Sequence, residues 1–265
     1  MTRERSHPGA STSLELLLLD GSIQIQQSGC FIVTSPQNPL YHWGNSVQVT
    51  DGDIDDAAHW IDVFTGAFPH ARWLSIGLPR QPQIDAYQSR GIRVDMEESL
   101  TCRNSLESRP APPGYTIRSL SSASDWDQML TASLREAKED PSGDPTLHHY
   151  FLQLEFASRV RLHRAGILTW WGAFDASGTL CADLGIALMG AQARFQAVRT
   201  HPRHRRRGLA GHLLGVAGSW AQAHGVTELV IVADPGSPAS RLYRSLGFAH
   251  AADECAAYRP PSFTQ

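Results

Sequence analysis

The two halves of this chain carry the same punctuation at one fixed spacing. Tyr87 and Tyr243 lie 243 − 87 = 156 residues apart, and at that offset Gly52 falls on Gly208, Pro79 on Pro235, Pro82 on Pro238, Ser89 on Ser245, Gly91 on Gly247, Glu98 on Glu254 and Arg103 on Arg259. Glycine and proline mark the places where a backbone must turn, so a shared set of them implies a shared path. The apolar run from Trp73 to Ile76 also falls on that from Leu229 to Val232. The chain is therefore expected to be two related units in tandem, residues 14–108 and 115–265. Between them Arg109-Pro110-Ala111-Pro112-Pro113-Gly114 stops helix and strand alike and reads as a linker, 109–114. At 265 residues the chain is long enough for two cores. Residues 1–13 are polar, with Pro8 and Gly9, and are expected to be loosely ordered.

The second half has the clearer element order. Tyr115, Ile117 and Leu120 alternate as a strand, and Ser124 is placed to cap a helix through Trp126, Met129, Leu130 and Leu134. Asp140 to Pro145 reads as a loop and His149 to His163 as a second helix. Ile167 to Ala173 and Thr179 to Met189 read as strands joined by the turn Asp175-Ala176-Ser177-Gly178. A strand ends at Phe195, Ala197 and Val198, and Leu209, Leu213, Leu214, Ala217 and Trp220 then recur at helical spacing. The strand Glu228 to Ala233, a break at Asp234-Pro235-Gly236 and a helix capped by Ser237 with Pro238 in its first turn complete the order. Helices and strands mixed in this way describe an α/β chain of the α+β kind, with a mixed sheet.

Between the strand and the helix lies Arg205-Arg206-Arg207-Gly208-Leu209-Ala210. The first amides of a helix have no partner within it, and the peptide dipoles add roughly half a positive charge there. Gly208 and Ala210 let an anion approach those amides, and the guanidinium groups neutralise it from the sides. The stretch reads as a cradle for a pyrophosphate. A nucleic-acid patch is the competing reading of such a run. The formal net charge of −3 and the pI near 6.4 speak against a surface that tracks nucleic acid.

The Arg-rich hexamer resembles the Q/R-x-x-G-x-G/A motif of the GCN5-related N-acetyltransferase (GNAT) superfamily. Tyr243-Arg244-Ser245-Leu246-Gly247-Phe248 resembles its Y-x-x-x-G-F signature, at the expected distance. The resemblance runs from about Pro113 to Arg259. It implies the acyl-CoA N-acyltransferase fold, here as two GNAT-like units in tandem, and direct transfer of an acetyl group from acetyl-CoA to an amine. By that resemblance Arg205, Arg206, Arg207, Gly208, Leu209, Ala210 and Gly211 would bind the pyrophosphate. The backbone of Val198 and Thr200 would pair with the pantetheine arm, and Tyr243 would protonate the departing thiolate. The first unit has Val49, Thr50 and Asp51 where the second has its arginines, so it is expected to be degenerate and to bind no coenzyme A.

The general base stays open. Some family members carry a glutamate on the strand before the pyrophosphate loop, but here that strand reads Ala193-Arg194-Phe195-Gln196-Ala197-Val198. Asp183 on the preceding strand is the nearest acidic candidate, against a plain reading as a solvent-facing hairpin residue. Water relayed through backbone carbonyls or Gln196 is the alternative. Asn38 to Asn45, rich in turn formers and aromatics, reads as a packed loop or as the lip of a substrate cleft.

The acceptor is expected to be a small-molecule or protein amine. The resemblance places specificity in the loops around Ala137 to His149 and in whatever the first unit contributes. Glu136, Glu139, Asp140 and Asp144 would suit a cationic amine there, against the plainer reading of a solvated acidic loop. A non-catalytic acyl-CoA sensor or scaffold is the alternative. Cys30, Cys102, Cys181 and Cys255 are scattered without a C-x-x-C pair, so neither a metal site nor a disulfide framework is expected. Leu16 to Leu19, bracketed by Glu15 and Asp20, is too short for a membrane span or a signal core. A cytoplasmic protein, monomer or homodimer, with no nucleic-acid or membrane partner, is the resulting expectation.

Overall fold

The computed structural model describes residues 7–107, 109–138 and 145–261. The first half contains α1 (Pro8–Leu19), β1 (Ile23–Gln27), β2 (Cys30–Thr34), β3 (Ser46–Val49), α2 (Ala57–Ala67), β4 (Leu74–Leu78), α3 (Ile84–Gln88) and β5 (Arg93–Cys102). The second contains β6 (Tyr115–Ser119), α4 (Ala123–Lys138), α5 (Pro145–Arg164), β7 (Leu168–Asp175), β8 (Leu180–Met189), β9 (Gln192–Thr200), α6 (Leu209–Ala223), β10 (Glu228–Ala233), α7 (Pro238–Arg244) and β11 (Ala249–Arg259). Shifting by 156 residues carries α2 onto α6, β4 onto β10, α3 onto α7 and β5 onto β11. Gly52 and Gly208, which precede the paired helices, both take a left-handed conformation, at φ +106° and +82°.

All strands join one 11-stranded sheet in the order β1-β2-β3-β4-β11-β5-β10-β9-β8-β7-β6. The parallel pair β3/β4 is continued by β11 of the second half, and the parallel pair β9/β10 by β5 of the first, both antiparallel. Each unit has thus given its last strand to the other. The two exchanged strands pair along their length, from Arg93 with Tyr258 to Thr101 with Ala249, with a bulge near His250. The linker between the halves is therefore a boundary in sequence but not in the sheet.

Alternation along the strands sorts the side chains onto two faces. Leu100 and Cys102 of β5 join Leu229 and Ile231 of β10 under α6, and Trp60 and Phe64 of α2 pack on Ile76 and Cys255 of the same face. Leu168 and Trp170 of β7 pack with Trp126, Met129 and Leu162 of α4 and α5 on the opposite face.

The expectation of a loose N-terminus is corrected for residues 8–13, which begin α1; residues 1–6 lie outside the described residues. The cause is Gly9, which lies against the centre of the sheet and donates its amide to Ser99 Oγ at 2.9 Å. A Cβ there would stand 2.3 Å from Ser99 Oγ and 2.7 Å from Val232 Cγ2. Gly9→Ala is expected to cost about 1–3 kcal/mol through overpacking, read as a lower urea midpoint at unchanged m.

The cap of α4 is also corrected. Ser122, not Ser124, caps it: Asp125 N–H donates to Ser122 Oγ at 3.1 Å and Asp125 Oδ2 accepts the Ser122 amide at 3.1 Å. This reciprocal pair satisfies two amides at once, which Ser124 inside the helix cannot do. The Arg118 guanidinium grips both Asp125 oxygens at 2.7 Å and holds that carboxyl well below the usual range. Helix α5 starts at Pro145, earlier than His149, and Glu139, Asp140 and Asp144 lie outside the described residues.

Candidate functional site

Strands β9 and β10 pair only from Gln192 with Glu228 to Arg194 with Val230. Beyond that point they part, although β9 runs on to Thr200. Its other edge stays paired with β8, but the register shifts between Asp183 and Gly185, so Ala197 and Val198 together oppose Leu184. Ala197 takes φ +44° there. A bulge of this kind leaves backbone groups unpaired at a strand that already lacks a neighbour. Val198 lies in this stretch; Thr200 ends it, and its carbonyl accepts Arg205 Nε at 3.1 Å.

The Arg-rich loop closes the open end of the split. Arg206 at φ +62° and Gly208 at φ +82° turn successive amides toward one side. Gly208 is the N-cap of α6, so no side chain caps the helix, and its carbonyl takes its first helical bond from His212. The amides of Leu209, Ala210 and Gly211 are left to an outside acceptor. A Cβ on Gly208 would meet only Pro112 Cγ, at 4.0 Å, so the approach is open. Arg205, Arg206 and Arg207 are exposed. Arg207 Nη1 donates to Tyr115 Oη at 2.9 Å, and that hydroxyl also meets His204 Nδ1 at 2.8 Å. His204, Asp175 and Cys181 bring their ligating atoms within 4.8 Å of one another beside this loop, but each already holds a protein hydrogen bond.

The same loop in the first half is filled from within. The Thr50 and Asp51 amides donate to the Gly29 carbonyl at 2.8 and 3.0 Å, and Asp51 Oδ1 accepts the Gly52 amide at 2.8 Å. Helix α2 is capped by its own Asp56 side chain. Of the first three amides of α2, that of Ala57 already donates to the Asp55 carbonyl and that of His59 to the Asp56 carboxylate, so fewer are offered outward than at α6.

The matched tyrosines differ in the same sense. Both are buried, at 0% and 5% exposure for Tyr87 and Tyr243. Tyr87 Oη donates to the Ile54 carbonyl at 2.8 Å. Tyr243 Oη has no protein hydrogen bond among the described residues, and burial pushes its pKa up to about 12. Helix α7, which carries it, is anchored by the exchanged strand: buried Glu98 of β5 accepts from Ser240 Oγ and from the Arg244 guanidinium.

Asp183 does not meet these groups. It is 3% exposed, which overturns the solvent-facing reading, and both its oxygens are engaged. Trp170 Nε1 donates to Oδ1 at 3.0 Å, while Arg199 Nε and Nη2 donate to Oδ2 at 3.0 and 2.7 Å. Burial pushes its carboxyl up, opposed by the Arg199 charge. Arg199 continues to Ser133 Oγ at 2.9 Å, so the pair ties β8 and β9 to α4. A carboxylate enclosed in this way serves the fold rather than an incoming amine.

On the face of α1 and α5, the split opens into a cavity of about 1330 Å³, with Gln196 and Val232 flanking the gap. Tyr41 and Trp43 from the 38–45 segment line it, while Asn45 of the same segment is locked to the Ser35 amide and the Asn38 and Tyr41 carbonyls. The segment is therefore packed loop and cavity wall together. Among the charged lining residues not singled out from the sequence are Arg194 on β9 and Glu97 on β5. Burial pushes Glu97 up, with Arg194 opposing and Asp234 and Glu254 adding to the rise. Arg194 was legible from alternation, since Ala193 and Phe195 face α6. Glu97 was not, because its place depends on the strand exchange.

The family model for the acetyltransferase (GNAT) family matches residues 128–248, from within α4 to the end of the α7 turn. No curated protein matches the chain by sequence. Among solved structures, a conserved protein of unknown function from Staphylococcus epidermidis aligns at TM-score 0.69 and 12% identity, covering 91% of this chain and 95% of its own. A GCN5-related N-acetyltransferase from Kribbella flavida aligns at 0.64 and 18%, covering 96% and 95%. One from Sphaerobacter thermophilus aligns at 0.60 and 15%, covering 87% and 80%. At these identities the likeness is one of fold, and it spans both halves. Residues 128–248 thus resemble the acetyltransferase (GNAT) family in sequence, and the chain as a whole has the fold of the GCN5-related N-acetyltransferases.

Proposed function

We propose that this protein transfers an acetyl group from acetyl-CoA directly to a primary amine of a small-molecule or protein acceptor held in the central cavity. One contrast carries the reading: the second half has an uncapped helix start, a parted strand pair and a phenol without a hydrogen bond among the described residues, while the repeat-matched loop and phenol of the first half hold internal hydrogen bonds.

The thioester supplies the activated acyl group. The amides of Leu209, Ala210 and Gly211, with Arg205, Arg206 and Arg207 beside them, hold the pyrophosphate. The bulged edge of β9 at Val198 pairs with the amides of the pantetheine arm as an added strand would. Glu97, on the cavity side, takes a proton from the ammonium of the acceptor, directly or through water. The freed nitrogen bonds to the acyl carbon as the carbon–sulfur bond breaks, and Tyr243 gives its proton to the sulfur. The bonded nitrogen gives up its second proton through solvent, which restores that of Tyr243; amide and thiol leave, and solvent removes the proton on Glu97.

Replacing Arg205, Arg206 and Arg207 together by alanine is expected to weaken acetyl-CoA binding by about 10- to 100-fold, the range for a few charge-assisted contacts at an exposed site. Calorimetric titration checks it, and unchanged affinity would remove the cradle from the reading. Products of an amine panel, read by mass spectrometry, test the transfer. Tight binding without any turnover would instead favour the non-catalytic acyl-CoA sensor.

A further inference from the structure

The cavity holds an arginine that the protein itself leaves unanswered. Arg194 sits on β9 at its last paired position with β10, where the strands part. Its Nε is buried without a hydrogen-bond partner, and among the described residues no carboxylate closes an ion pair with it. Glu97, Glu254, Tyr41 and Tyr243 are the groups that act on its charge from a distance. Three of these are already occupied or neutral: Glu254 accepts the Ala10 amide at 3.2 Å and the Ser99 hydroxyl, and burial raises the Tyr41 and Tyr243 hydroxyls to about 12. The surface that Arg194 keeps opens on the cavity.

Burying part of a guanidinium without a partner is costly, and burial lowers the affinity of Arg194 for its proton. A fold retains such a group where something that visits the cavity repays it. A guanidinium has a planar fork of donors that matches a carboxylate in two places at once. On the same wall, toward the open end of the split, stands the opposite charge: Glu98 pairs with Ala233, which brings the neighbouring Glu97 level with Asp234. The cavity thus presents a cation at the branch of the strands and carboxylates nearer their open end.

We propose that the acceptor is a small amine that also carries a carboxylate, an amino-acid-like zwitterion whose carboxylate is bound by Arg194 while its ammonium faces Glu97. This rests on the acyl-transfer reading and narrows it: Arg194 is a specificity residue, and a protein amine is not the substrate. Tyr41 and Glu97 come from the first half, so the degenerate unit supplies one wall of the acceptor site.

The test uses the full chain and matched sets of amines: free amino acids, their carboxamides, the corresponding decarboxylated amines, and peptides with a free N-terminus. Acetylated product is quantified by mass spectrometry, and acetyl-CoA affinity is titrated in parallel. Wild-type kcat/KM is expected to be at least about 30-fold higher for one or more free amino acids than for their amide and decarboxylated partners. Arg194→Met is expected to erase that preference mainly through KM, with acetyl-CoA affinity within about twofold of wild type, which also reports that the variant is folded. Arg194→Lys should restore part of it, because the charge returns without the fork. Turnover of neutral amines or peptides equal to that of the carboxylated set overturns the inference, as does no response to any carboxylated amine in a protein that binds acetyl-CoA. In those cases the acyl-CoA site itself survives; failure to bind acetyl-CoA overturns both.

Discussion

Tyr243→Phe is expected to lower kcat by about 100- to 1000-fold while leaving acetyl-CoA affinity within about twofold, the range for losing a positioned general acid. The substitution removes one oxygen that makes no hydrogen bond among the described residues, so little else should change. With a pKa of about 12, the phenol stays protonated through the working pH range and is always ready to donate. A departing thiolate, whose conjugate acid has a pKa of about 8.5, is the weaker base, so the donation acts while charge builds on sulfur rather than after it has left. Tyr87→Phe is the internal control. It breaks the hydrogen bond to the Ile54 carbonyl and should cost about 1 kcal/mol of stability with kcat unchanged. Steady-state kinetics with denaturant titrations separate the two. An equal loss of kcat in both variants would mean that the tyrosines act on the fold alone.

Glu97→Gln is expected to reduce kcat/KM by about 100- to 1000-fold near neutral pH and to change its pH dependence. Glu97 works as a carboxylate, and burial raises its pKa above the ordinary range. Its contribution is present above that raised value and is lost as pH falls through it. Wild-type kcat/KM should therefore drop on the acid side at a higher pH than an exposed glutamate would give. The ammonium of the acceptor adds its own pH dependence equally to both proteins, so the ratio of wild type to variant isolates Glu97. That ratio should fall toward one as pH is lowered. A ratio that stays constant with pH would exclude Glu97 as the base. Because Gln keeps the size and shape of the side chain, the swapped strand should retain its pairing.

The sheet explains why the geometry of the arginine loop was readable and the surroundings of the strand carboxylates were not. Gly208, Ser237, Pro238 and the arginines act within a few residues of where they stand, through φ, capping and helix-end electrostatics, and each took the position that its residue type predicts. Ser124 was misread because Ser122, two residues earlier, forms a capping box with Asp125, a local competition between two serines. Asp183 was misread for a nonlocal reason. Whether a strand carboxylate meets solvent, substrate or a partner depends on what the neighbouring strand puts beside it, and Arg199 lies on another strand. Residues 8–13 look like a loose end by composition, yet small residues at that point are what allow α1 to lie against Ser99 and Val232.

The sequence by itself determined the tandem plan, the strand–cradle–helix and the half that keeps its arginines, because glycine, proline and charge at fixed offsets carry that information locally. Only the tertiary structure decided that β5 and β11 change places, since either arrangement satisfies the same alternation of side chains along each strand. That exchange brings Glu98 to the helix of Tyr243 and Glu97 to the cavity of Arg194. Pairing across more than a hundred residues is chosen by the free energy of the whole sheet, which no short stretch of the chain encodes.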